Sequence, residues 1–291
     1  MTDLIWKTDL AVEAKRLWDT SSGRKSKLLG VKARTYSCCG IPAESVEILN
    51  DEGASSLGKA VGNYVTLDIA SIYKKEREIF ENTVSAISKT LQAMLPDCKR
   101  FLVAGLGNCD ITPDLLGPKV LDYLIITRHL CAAGAAPFAE FASVCAVAPG
   151  VLGKTGIESA QIVKGICDFA NVDAVIVVDA LASCEPDRLC ATLQISDTGM
   201  VPGSGVGNHR AAFTKETIGV PVIAMGVPTV VDGGTFLSGG GVEPLPFHSN
   251  LILSHRDIDQ RINDMARLIG YGINLALHPF LTVDDIPSLV I

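Results

Sequence analysis

The chain has 291 residues, of which 48% are hydrophobic and 20% are charged. This length and composition exclude a disordered chain and allow a sizeable core to be buried. The formal net charge of −7 argues against a nucleic-acid-binding surface, which would need Lys and Arg gathered on one face. We therefore expect no direct nucleic-acid partner.

The N-terminal stretch MTDLIWKTDLAVEAKRLW carries charges throughout, and no run approaches the roughly 18 apolar residues of a membrane span. Nine cysteines are scattered along the chain without the paired spacing of a zinc site or a disulfide framework. These features predict a cytoplasmic protein with no membrane partner, no bound metal and no cofactor.

The first part of the chain combines β-strands with one long helix. Residues 28–69 alternate apolar and polar positions in the manner of hairpin strands. The following stretch IYKKEREIFENTVSAISKTLQAML, residues 72–95, has the spacing of an amphipathic helix. We expect this helix to lead into the core of the protein.

Residues 101–232 alternate short apolar runs with amphipathic segments, which is the rhythm of an α/β fold. The run Ala174–Val178 lacks strict alternation and suits a central strand covered on both faces. Residues 233–255 are rich in Gly and Pro and predict a loop, and residues 256–278 predict a closing helix. The sequence predicts one α/β domain over residues 1–291, with three helix-sheet-helix layers around a mostly parallel or mixed sheet and an N-terminal β-hairpin region.

The stretch APGVLGKTGIE, residues 148–158, is similar to a phosphate-binding loop but does not complete one. That loop needs a glycine five positions before the Gly-Lys-Thr sequence. Gly153, Lys154 and Thr155 satisfy the second half, whereas Ala148 stands where the first glycine belongs. A nucleotide site is therefore not expected here.

Aspartates follow several of the predicted strands, where reactive groups of α/β sheets collect. They are Asp110, Asp114, Asp179, Asp197 and Asp232. Two carboxylates brought close together cannot both ionise, so one can act as an acid and the other as a base in amide hydrolysis. Each single aspartate is equally compatible with a helix cap or a turn: Thr112-Pro113-Asp114 is itself a plausible helix start.

An ordered series of motifs resembles the germination protease family of endospore-forming bacteria. The motifs are TDLAVEA (8–14), GKAVGNYVTLD (58–68), VAGLGN with TPDLLGPK (103–119), ITRHL (126–130), PGVLGKTGIE (149–158), VDALA (178–182), QISDTGMVPGSGVGN (194–208) and GVPVIAMGVPTVVD (219–232). The resemblance implies an aspartic-type endopeptidase that degrades small acid-soluble spore proteins at germination, in the cytoplasm of the forespore or spore core. It also implies a fold related to the hydrogenase-maturation proteases and a homotetramer.

The resemblance implies that Asp114 and Asp179 are the catalytic aspartates. We expect their carboxylates to lie within hydrogen-bond reach of each other or of one shared water. Residues expected to bind substrate or shape the site are Gly107, Asn108, Lys154, Thr155, Asp197, Gly203 and Ser204. Lys154 could hold a substrate carboxylate or lower the pKa of a neighbouring aspartate, or it could be a solvated loop lysine.

The resemblance also implies a precursor that cuts itself. The family's substrates are cut after an acidic residue that is followed by an apolar residue, a small residue and a further acid, an order found in Thr8-Asp9-Leu10-Ala11-Val12-Glu13. Cleavage between Asp9 and Leu10 is therefore expected. The alternative is that Asp9 caps a helix, and the seven residues before Thr8 suggest reduced zymogen control.

Two other classes of function stay open from the sequence. One is a metal-dependent hydrolase or maturation-type protease, in which Asp114, Asp179 and His209 would be the candidate ligands. The other is a non-catalytic assembly protein that keeps the fold, which the presence of both aspartates makes less favourable.

Overall fold

The computed structural model describes residues 8–21, 28–204, 210–233 and 251–290. Its strands are β1 (Val31–Cys38), β2 (Ile41–Ile48), β3 (Gly62–Asp68), β4 (Arg100–Gly105), β5 (Ser143–Val147), β6 (Ala174–Ser183), β7 (Thr192–Ser196), β8 (Val222–Asp232) and β9 (Ile252–Ser254). Its α-helices are α1 (Ala11–Ser21), α2 (Asp51–Leu57), α3 (Arg77–Met94), α4 (Leu116–Leu121), α5 (Arg128–Ala132), α6 (Leu152–Thr155), α7 (Ser159–Ala170), α8 (Lys215–Ile218) and α9 (Ile258–Leu277).

All nine of these strands belong to one sheet with the spatial order β1-β2-β3-β7-β8-β6-β4-β5, and β9 pairs with β8. The pairs β4–β5, β4–β6 and β6–β8 are parallel, whereas the pairs that join β1, β2, β3, β7 and β8 are antiparallel. The sheet is therefore mixed, and β1 and β2 form the predicted N-terminal hairpin. Both expectations are confirmed.

Helices cover both faces of the sheet. Successive side chains of a strand point to opposite faces, and β6 carries apolar side chains on both of them. On β6, Ile176 and Val178 belong to a core shared with α3, α4 and α9. Val175 and Val177 face the other side, where they pack with α7, and Leu181 on that side packs with α1. The predicted three-layer α/β architecture is thus confirmed.

Two predicted elements differ from the structure. The helix expected over residues 72–95 is interrupted: a 3-10 helix spans Ala70–Lys74, Lys75 takes a left-handed conformation with φ of 57°, and α3 begins only at Arg77. The loop expected over 233–255 contains β9, which pairs with the end of β8; residues 234–250 lie outside the described residues. The helix expected over residues 256–278 corresponds to α9, which spans Ile258–Leu277.

Among the helices of the described residues, none combines the length and the apolar character needed to cross a membrane.

Candidate active site

Asp179 lies inside a strand rather than at its end. β6 continues to Ser183 because β8 is eleven residues long and pairs with it as far as Ser183 beside Val231, across a bulge between Leu181 and Ala182. The expectation that the strand stops at Asp179 is therefore wrong. The Asp179 side chain is 4% exposed, and its Oδ1 accepts a hydrogen bond from the N–H of Ala180 at 2.9 Å.

Asp114 is delivered by the loop that follows β4. Thr112–Asp114 form a 3-10 turn with Pro113 near its start, which agrees with the predicted helix start. Gly107 has a φ of +128°, and a Cβ there would lie 1.8 Å from the carbonyl oxygen of Asp114. Only glycine permits this approach, which lets the Asn108 N–H donate to Asp114 Oδ2 at 2.7 Å.

Asp114 and Asp179 line the same cavity, which has a volume of about 460 Å³. Asp9 of the N-terminal segment lines it as well. The remaining lining is largely apolar, with Leu106, Ile111, Val151, Leu152, Leu181 and Phe213 among its residues. The structure thus brings together, from separate elements, the two aspartates that the resemblance identified.

Burial raises the pKa of both carboxyl groups but affects them unequally. The pKa of Asp179 lies well above its usual value, first because the group is buried and then because Asp114 is close. The pKa of Asp114 is also raised by burial, but the Asn108 N–H and the Arg210 guanidinium oppose that shift. Asp179 is therefore the member of the pair that holds a proton more readily, and Asp114 is the one that ionises first.

Two of the residues expected to shape the site lie near it but outside its lining. Lys154 forms an ion pair with Asp110, and both side chains are largely exposed. Lys154 is thus the cation of an exposed ion pair rather than a partner of either catalytic candidate. The Thr155 hydroxyl donates to the carbonyl of Ile157 at 2.9 Å and holds the turn after α6.

Asp197 lies away from the cavity. Its carboxylate accepts hydrogen bonds from the backbone N–H and the side-chain amide of Asn63, at 2.8 and 2.7 Å. These bonds fix the start of β3 against the end of β7, so the contacts of Asp197 are structural. Among the other strand-end aspartates, Asp232 closes β8 and is buried.

Gly203 and Ser204 lie beside the N-terminal segment. Gly203 lines the cavity with a φ of 72°, and the Ser204 hydroxyl donates to Asp9 Oδ1 at 2.5 Å. Asp9 Oδ2 accepts from the N–H of Ala182 at 2.8 Å, and the N–H of Asp9 donates to the carbonyl of Ala182 at 3.0 Å. Asp9 therefore binds along β6, three residues beyond Asp179, instead of capping α1.

Gln194 was not identified from the sequence, although it contacts the same segment. Its Nε2 donates to the carbonyl of Asp9 at 3.1 Å, and its Oε1 accepts from the N–H of Ala11 at 2.8 Å. Gly226 of β8 stands opposite Asp179 on one side and opposite Gln194 on the other. Residues that pair across neighbouring strands share a face of the sheet. The side chains of Asp179 and Gln194 therefore lie on either side of Gly226, which has no side chain.

A polar residue inside the buried run of β7 was the available signal for Gln194, which is 8% exposed. Arg210 lines the cavity, and its charge opposes the rise in the pKa of Asp114. No comparable signal marked Arg210 in the sequence, because it follows a glycine-rich stretch.

The metal-dependent alternative depends on His209, which lies outside the described residues. Within the described ranges, no group of three or more His, Cys, Asp or Glu side chains is arranged to hold a metal ion. A metal site that includes Asp114 and Asp179 would therefore need at least one further ligand.

Comparison with known proteins places the chain among the peptidases. A family model described as "Germination protease" matches residues 8–240. The chain belongs to the germination protease family, and the expected peptidase class is confirmed.

Similar proteins of that name come from several organisms. The germination protease of Caldanaerobacter subterraneus subsp. tengcongensis is 38% identical, over 98% of this chain and 98% of its own. That of Clostridium tetani is 37% identical, over 97% and 98%. That of Priestia megaterium is 39% identical, over 97% of this chain and 77% of its own.

Among solved structures, the [NiFe] hydrogenase maturation protease HycI from Thermococcus kodakarensis KOD1 shows similarity. It overlaps 63% of this chain and 98% of its own, with 18% identity and a TM-score of 0.35.

Proposed function

We propose that this peptidase is an endopeptidase that degrades small acid-soluble spore proteins at germination, with Asp114 and Asp179 activating water. It would act in the cytoplasm of the forespore or spore core. Membership of the germination protease family supports the substrate and the compartment. The observation that carries the chemistry is that both aspartates line one cavity and that their environments separate their proton affinities.

Asp114 is the general base and Asp179 the general acid in this proposal. Asp114 takes a proton from water as the oxygen attacks the carbonyl carbon, and Asp179 gives its proton to the carbonyl oxygen. In the second step, Asp114 returns a proton to the leaving nitrogen and Asp179 recovers one from the hydroxyl group. The peptide bond breaks with one water consumed, and both carboxyl groups regain their starting states.

Incubation with purified small acid-soluble spore protein tests the assignment directly. We expect cleavage after an acidic residue, identified by mass spectrometry, at the same rate with and without a chelator, because the dyad needs no metal. Loss of cleavage on chelation, restored by added divalent metal, would favour the metal-dependent alternative. Cleavage in neither condition would contradict the proposed activity.

Self-cleavage between Asp9 and Leu10 is the second expectation. Asp9 lines the cavity beside Asp114 and Asp179, and acidification changes which carboxyl group of that pair holds the shared proton. Intact-mass measurement after incubation at low pH should show loss of residues 1–9 in the wild type. Asp179→Asn should keep its full mass under the same conditions. If both proteins keep their full mass, self-cleavage does not occur and Asp9 makes only structural contacts.

We also propose a homotetramer. Several large apolar side chains are exposed on the described surface, including Phe169 at 80%, Ile252 at 59% and Ile157 at 48%, and such surface is commonly covered between subunits. Light scattering at micromolar concentration should give about four times the monomer mass. A monomer would contradict the assembly without affecting the proposed chemistry.

A further inference from the structure

The turn between β1 and β2 carries two adjacent cysteines. Cys38 ends β1 and pairs with Ile41, the first residue of β2, so Cys39 and Gly40 are the two residues of the turn. Their φ values are 51° and 80°, and a two-residue hairpin turn of type I′ requires positive φ at both positions. Asparagine, aspartate and glycine usually fill the first position, because a Cβ is disfavoured in the left-handed region. The geometry of the turn therefore does not account for a cysteine at position 39.

The left-handed backbone of Cys39 brings both thiols to the same side of the hairpin. Successive side chains of a regular strand point to opposite faces, yet Cys38 and Cys39 both pack against the core shared with α3, α4 and α9. The Cys38 Sγ lies 3.9 Å from the carbonyl oxygen of Ala86 in α3, and the Cys39 thiol is close enough to hydrogen-bond with the Cys38 thiol. Both side chains are only half-buried, so a small molecule can reach them. The hairpin thus presents a pair of neighbouring thiols.

The surroundings of Cys38 keep its thiol protonated. Burial raises the pKa of the Cys38 thiol, and the neighbouring Cys39 raises it further. A hydrogen bond with the Thr90 side chain and the charge of Lys89 oppose the shift without reversing it. A ligand that binds here must therefore carry the thiol proton away, as a hydroxyl group does when it leaves as water.

The number of ligands limits what this pair can hold. A structural zinc site needs four protein ligands, and within the described ranges no group of three or more His, Cys, Asp or Glu side chains is arranged to hold a metal ion. A trivalent organic arsenical, R–As(OH)₂, needs only two thiols because its organic group fills the third position on arsenic. Soft sulfur ligands match a soft centre of this kind. Two adjacent thiols therefore suit an arsenical better than a divalent metal ion.

We propose that Cys38 and Cys39 form a binding site for trivalent organic arsenicals, separate from the catalytic cavity. On binding, two As–O bonds break and two As–S bonds form, and each thiol proton leaves with a hydroxyl group as water. Neither arsenic nor sulfur changes its oxidation state, so no oxidant or reductant takes part. No residue of β1 or β2 belongs to the described lining of the cavity that holds Asp114 and Asp179. Binding should therefore leave peptide cleavage unchanged.

Intact-mass spectrometry with phenylarsine oxide, which hydrates in water to an arsenical of this form, tests the site. The reduced full-length protein is incubated with one equivalent of the reagent and an excess of 2-mercaptoethanol, which competes for single thiols. We expect one phenylarsenic group that has replaced two thiol protons and carries no hydroxyl group, and that 2,3-dimercaptopropanol removes. The absence of an adduct, or an adduct that keeps a hydroxyl group on arsenic, would overturn the site.

Single variants should separate this pair from the other cysteines. Cys38→Ser and Cys39→Ser should each weaken binding at least about 100-fold, because the second As–S bond forms within one molecule, at a high effective concentration. Cys145→Ser is the matched control: Cys145 of β5 lies near Cys167 of α7, and its loss should leave the adduct in place. Circular dichroism checks the fold, and Cys39→Ser gives a second test if Cys38→Ser does not fold. An adduct of full affinity in either folded variant, or its loss in Cys145→Ser, would contradict the assignment.

Peptide cleavage tests whether the two sites are separate. The arsenical adduct of the wild type should cut spore protein at the same rate as the untreated protein. Inhibition of the wild type that is absent in Cys39→Ser would contradict the separation. Failure of the untreated protein to cut spore protein, with the adduct still formed on Cys38 and Cys39, would overturn the proposed function and support the arsenical site.

Discussion

Asp179→Asn should abolish peptide cleavage while leaving the protein at least as stable as the wild type at neutral pH. Asparagine keeps the shape of the side chain but cannot transfer a proton, and general acid–base catalysis contributes about 10²–10⁴-fold to rate. Asp114→Asn should lose activity to a similar degree. Steady-state kinetics on a spore-protein substrate measure the loss.

The stability of the Asp179 variant follows from the direction of its pKa shift. Burial raises the pKa of Asp179 in the folded protein above its unfolded value, so the folded state binds this proton more tightly. The free energy of unfolding gained from that proton is present below the unfolded pKa and is lost as pH rises through the folded pKa. The Asp179→Asn variant does not lose this free energy as pH rises. The difference in free energy of unfolding between the variant and the wild type should therefore increase in favour of the variant from acidic to neutral pH.

Urea denaturation at several pH values measures this difference. A variant that is inactive and also clearly less stable at neutral pH would show that Asp179 supports the fold. A variant that retains cleavage would move the chemistry to another aspartate, such as Asp110 or Asp232.

Gly117→Ala should both destabilise the protein and impair cleavage. A Cβ at Gly117, in the first turn of α4, would lie 2.2 Å and 2.4 Å from the carbonyl oxygen and nitrogen of Leu106, and 2.5 Å from the carbonyl oxygen of Val178. Leu106 and Val178 are joined there by a 2.8 Å hydrogen bond. The methyl group would push apart the loop that leads to Asp114 and the strand that carries Asp179. Overpacking of this kind costs about 1–3 kcal/mol.

Gly165→Ala is the matched control. Gly165 lies in α7, and a Cβ there meets no atom within 4 Å. Alanine is favoured over glycine in a helix by about 1 kcal/mol, so this variant should be as stable as the wild type or slightly more stable. Chemical denaturation and kcat are measured for both variants. Equal stability and activity of Gly117→Ala and Gly165→Ala would contradict the close packing between α4 and β6.

The architecture could be predicted from the sequence wherever a strand or helix has a regular pattern of apolar residues. The pattern of β2 and the apolar run of β6 reflect burial on one or both faces, and burial is visible in residue type. β9 was missed because its three residues are all exposed and it exists only through pairing with β8. The break at Lys75 was missed because a left-handed residue before α3 leaves the helical periodicity intact.

Site residues that belong to a motif could be predicted from the sequence. Residues that contact each other only because the fold brings distant parts of the chain together could not. Asp114 and Asp179 were identified by resemblance, and the structure brings both to one cavity. Gln194 contacts Ala11 across 183 positions of the chain, and Glu13 accepts hydrogen bonds from Ser183, Cys184 and Glu185, which are 170 to 172 positions away. Residue type alone also could not distinguish a lysine that contacts the catalytic aspartates from Lys154, which instead pairs with the exposed side chain of Asp110.

The extension of β6 beyond Asp179 has a consequence for the kind of chain that can be cut. The pairing of β4 with β6 runs from Phe101 beside Ala174 to Gly105 beside Val178. Beyond it, the carbonyl of Ala182 accepts from the backbone N–H of Asp9, and the N–H of Ala182 donates to the Asp9 carboxylate. A peptide that joins a strand in this way must present its own backbone groups. Residues before the cleaved bond that are locked in a helix have those groups engaged, so the conformational state of a protein should limit its turnover as strongly as its sequence.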